Sequence, residues 1–267
     1  MLDLAWWVGL LTISVTNIIL CIRYYFTSCC STSRHLIITI LCTVYVAACF
    51  VRATFPVRII ERTCFNSKII SPFTDRVIAT VGEMSFIILI AVVSHFIVLN
   101  TSNSTWQKYL IGITVILIAI AQTCCWAGCI TKNQLFNASE ESLWAITAII
   151  LIIIWSGVLH YTKRNQTPIN KFVQKGMYVC IGITSLYTAY MITQDVPMYI
   201  NRWKTLEKNF NSFSKGIEEM KVCQYQTTSE TVWKDDSLWR IGYFSGGVWC
   251  SMALVLWLHK YEKMIKK

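Results

Sequence analysis

The chain has 267 residues, 55% of them hydrophobic and only 14% charged, whereas an ordinary soluble domain carries about 25% charge. That balance excludes a sizeable soluble domain. The net charge of +10 comes with no basic helix interleaved with aromatic residues, so no nucleic-acid partner is expected, and lysines flanking lipid account for the excess.

Seven stretches are long and apolar enough to span a bilayer, at 4–22, 35–51, 77–99, 109–131, 143–161, 172–192 and 238–258. The expected fold class is therefore all-α, a polytopic integral membrane bundle in one domain over 1–267. The expected localisation is an integral, multi-pass position in a membrane. The opening "MLDLAWWVGLL" has no basic n-region and no small-residue cleavage site, which predicts a retained first helix with Trp6 and Trp7 at the interface. With the N-terminus outside, the inner segments 23–34, 100–108, 162–171 and 259–267 hold ten Lys/Arg in 40 residues, against twelve in 84 outside. This density places the C-terminus in the cytoplasm.

The first large outer connection, 52–76, is "RATFPVRIIERTCFNSKIISPFTDR", with five basic and two acidic residues between two apolar spans. Arg58 and Arg62 lie at i and i+4, and Pro56 and Pro72 punctuate the segment, so a short helix carrying both arginines on one face is expected. Arg76, Thr80 and Glu83 follow at steps of four and three on one face of the third span. Glu83 is the one acid inside an expected span, where a charge costs about 2.5–3.5 kcal/mol on insertion scales and calls for a partner or water.

Further polar residues reach the same level. They are Gln122 and Thr123 in the fourth span, Glu140 and Glu141 before the fifth, Gln194 and Asp195 after the sixth, and Asp236 and Arg240 at the seventh. Between 196 and 220, Ile200, Trp203, Leu206, Phe210, Phe213, Ile217 and Met220 recur at helical steps, which predicts an amphipathic helix with Asp195 as N-cap and Pro197 in its first turn.

Of twelve cysteines, Cys64 and Cys223 fall in the two large outer loops, 52–76 and 193–237, and are the candidate disulfide. Cys29, Cys30 and the "CCWAGC" at 124–129 lack a matching second pair, so no zinc or other metal is expected. Asn137 in "NAS" is the sequon that falls outside and is the glycosylation candidate, whereas those at Asn100, Asn103 and Asn165 fall inside. The four histidines, His35, His95, His160 and His259, gather toward the inside without metal-binding spacing. The seventh span has no lysine for a Schiff base.

These residues point to an outward Arg/Glu pocket that binds or acts on an anionic amphiphile, a lipid or a small organic acid. Arg58, Arg62, Arg76 and Arg240 would be the anion donors, Glu83 the counter-charge or proton acceptor, and Asp195 a second acceptor. No cofactor is implied, and no nucleophile for catalysis stands out. Membrane lipids are the expected surroundings. Two alternatives stand beside this reading: a proton-coupled transporter using Glu83, and a structural or assembly protein whose polar cluster is fully paired.

Overall fold

The computed structural model describes residues 4–27, 33–67, 69–165, 171–205 and 210–265, and the side chains of all these except 25–27, 33, 235–238 and 263–265. Cys29 and Cys30, residues 206–209 of the expected amphipathic stretch and the side chain of Asp236 lie outside the described residues. In chain order the elements are α1 (Ala5–Thr27), α2 (Ser33–Thr54), the short strands β1 (Val57–Arg58) and β2 (Thr63–Cys64), α3 (Pro72–Leu99), α4 (Thr105–Thr131), α5 (Gln134–Arg164), α6 (Lys171–Tyr190), α7 (Val196–Thr205), α8 (Phe213–Met220), β3 (Tyr225–Gln226), α9 (Glu230–Gly242) and α10 (Val248–Ile265). Single π-helical turns, Met191–Asp195 and Tyr243–Gly247, join α6 to α7 and α9 to α10. Seven helices among the described residues are long and apolar enough to cross a membrane, the architecture of an integral multi-pass protein.

The chain forms two compact units, Met1–Leu89 with Asn211–Leu256, and Ile90–Phe210 with Trp257–Lys267. In the first unit, α1 buries Leu10, Ser14, Asn17 and Cys21 and exposes Val8, Val15, Ile19, Leu20 and Ile22 together with Thr12 and Thr16. α2 buries His35, Ile38, Thr39, Cys42, Tyr45, Val46, Cys49, Ala53 and Arg52 and exposes Leu36, Ile37 and Ile40. Each helix thus turns inward a face that mixes polar and apolar side chains and leaves aliphatic ones for lipid.

α2 and α3 meet along a seam that narrows at small residues. Tyr45 stacks on Phe86 with ring centroids 4.7 Å apart. One turn on, a Cβ built on Gly82 would lie 2.7 Å from Ala48 Cβ, so glycine is what lets the backbones approach. One turn further, Arg52 of α2 reaches Asp75 of α3.

The start of α3 is set by Ser71, Pro72 and Thr74. Ser71 N–H donates to Thr74 Oγ1 and Thr74 N–H to Ser71 Oγ, a reciprocal cap, and Pro72 occupies the first helical position, where no N–H is needed. The helix thus begins five residues before the expected span, and Asp75 and Arg76 lie on its first turns instead of in a loop.

The expected short helix between Pro56 and Pro72 is not formed. β1 and β2 are an antiparallel hairpin, Val57 opposite Cys64 and Arg58 opposite Thr63, turned through Arg62 at φ 55°. β3 adds to β2 in parallel, with Thr63 opposite Tyr225 and Cys64 opposite Gln226. The Arg62 carbonyl accepts N–H groups of both Gln224 and Tyr225, which holds that left-handed residue in place. The pairing strand arrives from far along the chain, and this long-range contact overrides the local helical spacing of Arg58 and Arg62. The Cys64–Cys223 disulfide, Cα atoms 5.8 Å apart, joins the β1–β2 hairpin to the segment that carries β3, beside this pairing.

In the second unit, α4 and α5 pack as an antiparallel pair. Lys132 in left-handed conformation closes α4, and Asn133 Oδ1 accepts Leu135 N–H to open α5. Gln107 Nε2 donates to the Ile154 carbonyl, and Trp155 Nε1 donates to Ser94 Oγ at 3.0 Å. α6 does not end at 192. It runs through the π-turn into α7, and Val196 N–H bonds to the Met191 carbonyl five residues back. Pro197 next in line has no N–H, and the wider turn gives its ring room against the preceding carbonyls. Asp195 therefore sits within a continuous helix and not at an N-cap.

Beside the first unit's π-turn, Gly247 lies so close to α2 that an added Cβ would stand 2.3 Å from Tyr45 Oη, with the next ring atom, Cζ, at 3.4 Å. Gly247→Ala is expected to cost about 1–3 kcal/mol in detergent unfolding, and Tyr45→Phe in the same chain to restore the loss by removing the clashing oxygen. A double variant no more stable than the single would place the clash elsewhere.

Candidate functional site

The first unit holds a buried quartet of charges where α2 and α3 end and begin. Arg52 Nε lies 3.3 Å from Asp75 Oδ1, and Arg52 Nη1 lies 3.7 Å from Glu83 Oε1. Arg76 Nη2 donates to Glu83 Oε2 at 3.1 Å, and Arg76 Nε to Thr80 Oγ1 at 3.4 Å. All four charged residues are at least nine-tenths buried. Two guanidiniums thus face two carboxylates, so the cluster carries no net formal charge, which is what makes four ionised groups tolerable in this setting. Phe244 closes one side, with Arg52 Cζ 5.4 Å from its ring centroid.

Glu83 is bonded from two helices at once, by Arg52 of α2 and by Arg76 of its own helix. Its charge state therefore sets one of the two links between α2 and α3 at this level, the other being Arg52 with Asp75. Of the sequence-predicted residues, Arg76 and Glu83 meet here. Asp75, the partner of Arg52, lies outside the apolar run expected at 77–99, and it is the Ser71–Pro72 cap that carries it into the helix.

The remaining predicted arginines belong to the β1–β2 hairpin and to α9. Arg58 Nη1 donates to the Val232 carbonyl at 2.6 Å, and Nη2 pairs with Glu61 at 2.9 Å. Arg62, wholly buried, donates to the Ile59 carbonyl and has Glu219 of α8 3.8 Å from Nε. Arg240 donates to the Val57 carbonyl at 2.7 Å and lies over the Trp233 ring at 5.6 Å. Trp233 in turn packs with Trp6 and Phe65, and its Nε1 donates to the Thr227 carbonyl. These arginines bind hairpin, α8 and α9 into one module with the disulfide at its centre.

Asp195 belongs to the second unit. It is buried on the π-turn, and Tyr199, one turn on, lies within electrostatic reach of Glu141, Asp195, Glu140 and Cys125. Asn137 is not on a loop either. It is buried in the first turns of α5, its amide donating to Gln134 Oε1 at 3.2 Å and its Oδ1 packed at Gly128, so a glycan there is not supported. Among the described residues, no group of three or more His, Cys, Asp or Glu is placed to hold a metal ion.

Away from the quartet, neutral polar contacts lie among the apolar side chains that fill the first unit. Asn17 Nδ2 donates to the Phe244 carbonyl of the π-turn, and Trp249 Nε1 donates to Asn17 Oδ1 at 2.9 Å. Cys42 Sγ lies 3.6 Å from Ser251 Oγ, and Cys21 Sγ lies 3.7 Å from Thr43 Oγ1. At the far end of α2, Tyr24 Oη and His35 Nε2 are 3.3 Å apart. The signal for these contacts was present in the helical spacing of the polar residues in α1 and α2, once charge is not the only criterion.

Arg52→Leu leaves both Asp75 and Glu83 short of a partner and is expected to destabilise the chain by about 3–5 kcal/mol in a denaturing-detergent titration. Lys221→Ala, which breaks the exposed 2.7 Å pair with Glu218, is expected to cost about 0–1 kcal/mol in the same assay. Equal losses would show that the quartet is not a tightly held unit.

No family model, no curated protein and no solved structure matches this chain.

Proposed function

We propose that the chain is a proton-coupled membrane transporter in which Glu83 is the coupling carboxylate. The observation that supports it above others is the sharing of Glu83, inside a span, between Arg52 and Arg76. Taking up a proton would remove the charge that both guanidiniums answer and reduce the α2–α3 link to the Arg52–Asp75 pair. An acid inside a span, with its partners named, is a functional-site hypothesis by default, and ion and proton routes are among the roles such acids serve.

The anionic-amphiphile reading finds less support. Arg52 and Arg76 already donate to carboxylates, and Arg58 and Arg240 already donate to main-chain carbonyls, so a ligand anion would have to displace them. The disulfide supports the proposed orientation, since such bonds persist in oxidising compartments. The hairpin and the 213–226 segment then face the outside or a lumen, and α10 ends on the cytoplasmic side.

The test uses the purified full chain in lipid vesicles with a pH dye inside and a potassium diffusion potential, negative within. Proton entry is expected to exceed that of protein-free vesicles, and Glu83→Gln is expected to reduce it at least tenfold while the variant still elutes as a folded species. Proton entry at the protein-free rate, or a Glu83→Gln chain that is lost from the membrane fraction, would assign the quartet to structure and assembly alone.

A further inference from the structure

We infer that the second unit holds a binding site for an organic ammonium ion, with the Asp195 carboxylate as its counter-charge and Tyr190 and Tyr199 beside it. The inference goes beyond the transport reading and does not depend on Glu83, which belongs to the other unit.

The π-turn builds the site. In a regular α-helix Tyr190 and Asp195 would stand about 140° apart around the axis. The bond from Val196 N–H to the Met191 carbonyl takes up one extra residue, which brings Asp195 over Tyr190 as though four residues separated them. Tyr199 follows one turn later on the same face. Both tyrosines accordingly interact with Asp195 and with Glu141 of α5, and Glu140 reaches Tyr199 as well.

The second observation is that nothing holds the Asp195 side chain. The residue is 8% exposed, yet among the described residues its carboxylate makes no hydrogen bond and no ion pair. Its oxygens are not sealed off as Thr147 Oγ1 on α5 is. Arg202 acts on it from a distance while lying over the Tyr199 ring at 5.8 Å. A carboxylate this enclosed is unfavourable unless a donor or a cation meets it. Glu83 in the first unit has two guanidiniums for that purpose, and Asp195 has none in contact.

Position along the helix leaves the site reachable. At 1.5 Å per residue Asp195 stands about 36 Å from Lys171, more than the roughly 30 Å of hydrocarbon in a bilayer. The carboxylate is therefore near a membrane boundary, where a charged ligand arrives without crossing lipid.

The chemistry selects the occupant. A metal ion calls for several ligands, and among the described residues no group of three or more His, Cys, Asp or Glu is placed to give them. An anion would meet like charge. An ammonium group needs one carboxylate and an aromatic face, and the Tyr199 ring already takes a cation in this way. Tyr190, 45% exposed, has its ring open to do the same. Free amines and lipid headgroups both carry such a group.

The test is calorimetric titration of phenethylammonium chloride into the purified full chain in nanodiscs of phosphatidylglycerol, a lipid without an ammonium group. Saturable binding beyond that of protein-free discs is expected. Asp195→Asn is expected to weaken it at least tenfold, and Arg202→Gln to strengthen it at least twofold by removing a competing cation. Asp195→Asn is also expected to leave the unfolding temperature no lower, because the carboxylate holds no other part of the chain. Titration in discs containing phosphatidylethanolamine separates the two sources: an affinity at least fivefold weaker assigns the site to the headgroup, and an unchanged one to a free amine. No binding in phosphatidylglycerol, or binding that Asp195→Asn leaves unaltered, overturns the inference. So does an Asp195→Asn chain of lower stability, which would make Asp195 structural. Proton entry and its dependence on Glu83 are read in a separate assay, so the two readings stand or fall independently.

Discussion

The first unit depends on one constraint, that a carboxylate inside a membrane-spanning helix must be neutralised by groups close enough to replace water. Glu83 meets it with Arg52 and Arg76, and Arg52 is in turn matched by Asp75. Each of the four would be a heavy cost alone, and together they sum to zero. The pairing demands that α2 and α3 run close, which is why Ala48 faces Gly82 immediately below. A larger side chain at either position would separate the backbones and pull Arg52 away from both acids. The small residues and the charged ones are thus two parts of one requirement.

The hairpin and the segment that pairs with it meet a different constraint with the same residue type. Short strands of two residues cannot hold a hairpin by themselves. Here the hairpin is held by guanidinium groups donating to carbonyls of other segments, by the aromatic group of Trp6, Phe65 and Trp233, and by the disulfide. Val57, Cys64 and Ile70 form a small apolar core beneath it. Arginine suits this task because its planar fork can bond carbonyls on one side and lie over a ring on the other, as Arg240 does with Val57 and Trp233. Five arginines near one boundary therefore resolve into two roles, charge balance for Arg52 and Arg76 and cross-linking for Arg58, Arg62 and Arg240.

The spans were legible because continuous apolar runs have one physical solution in lipid, a helix with its backbone bonds satisfied internally. The disulfide was legible because Cys64 and Cys223 are placed in the two large outer loops, where a redox compartment suits them. The hairpin was not, since its decisive partner, β3, comes from beyond the sixth span and local spacing at Arg58 and Arg62 argues for helix. Asp75 was missed because a Ser-Pro-x-Thr start resembles loop when helices are sought by hydropathy alone. Asp195 was misplaced for a related reason. Proline was read as a helix start, whereas a π-turn carries the helix through it. The buried polar residues of α1 were overlooked because Ser14, Asn17 and Cys21 are neutral, and a search for function by charge passes over them.

The quartet is also packed against the π-turn of the same unit. Arg52 lies over Phe244, the Phe244 carbonyl takes the amide of Asn17, and three residues on Gly247 abuts Tyr45, which stacks on Phe86 of α3. A larger side chain at Gly247 would therefore press on the same α2–α3 seam that holds Arg52 to Asp75 and Glu83. The π-turn, with a spare residue in its ladder, is the element of that wall with room to absorb a change there.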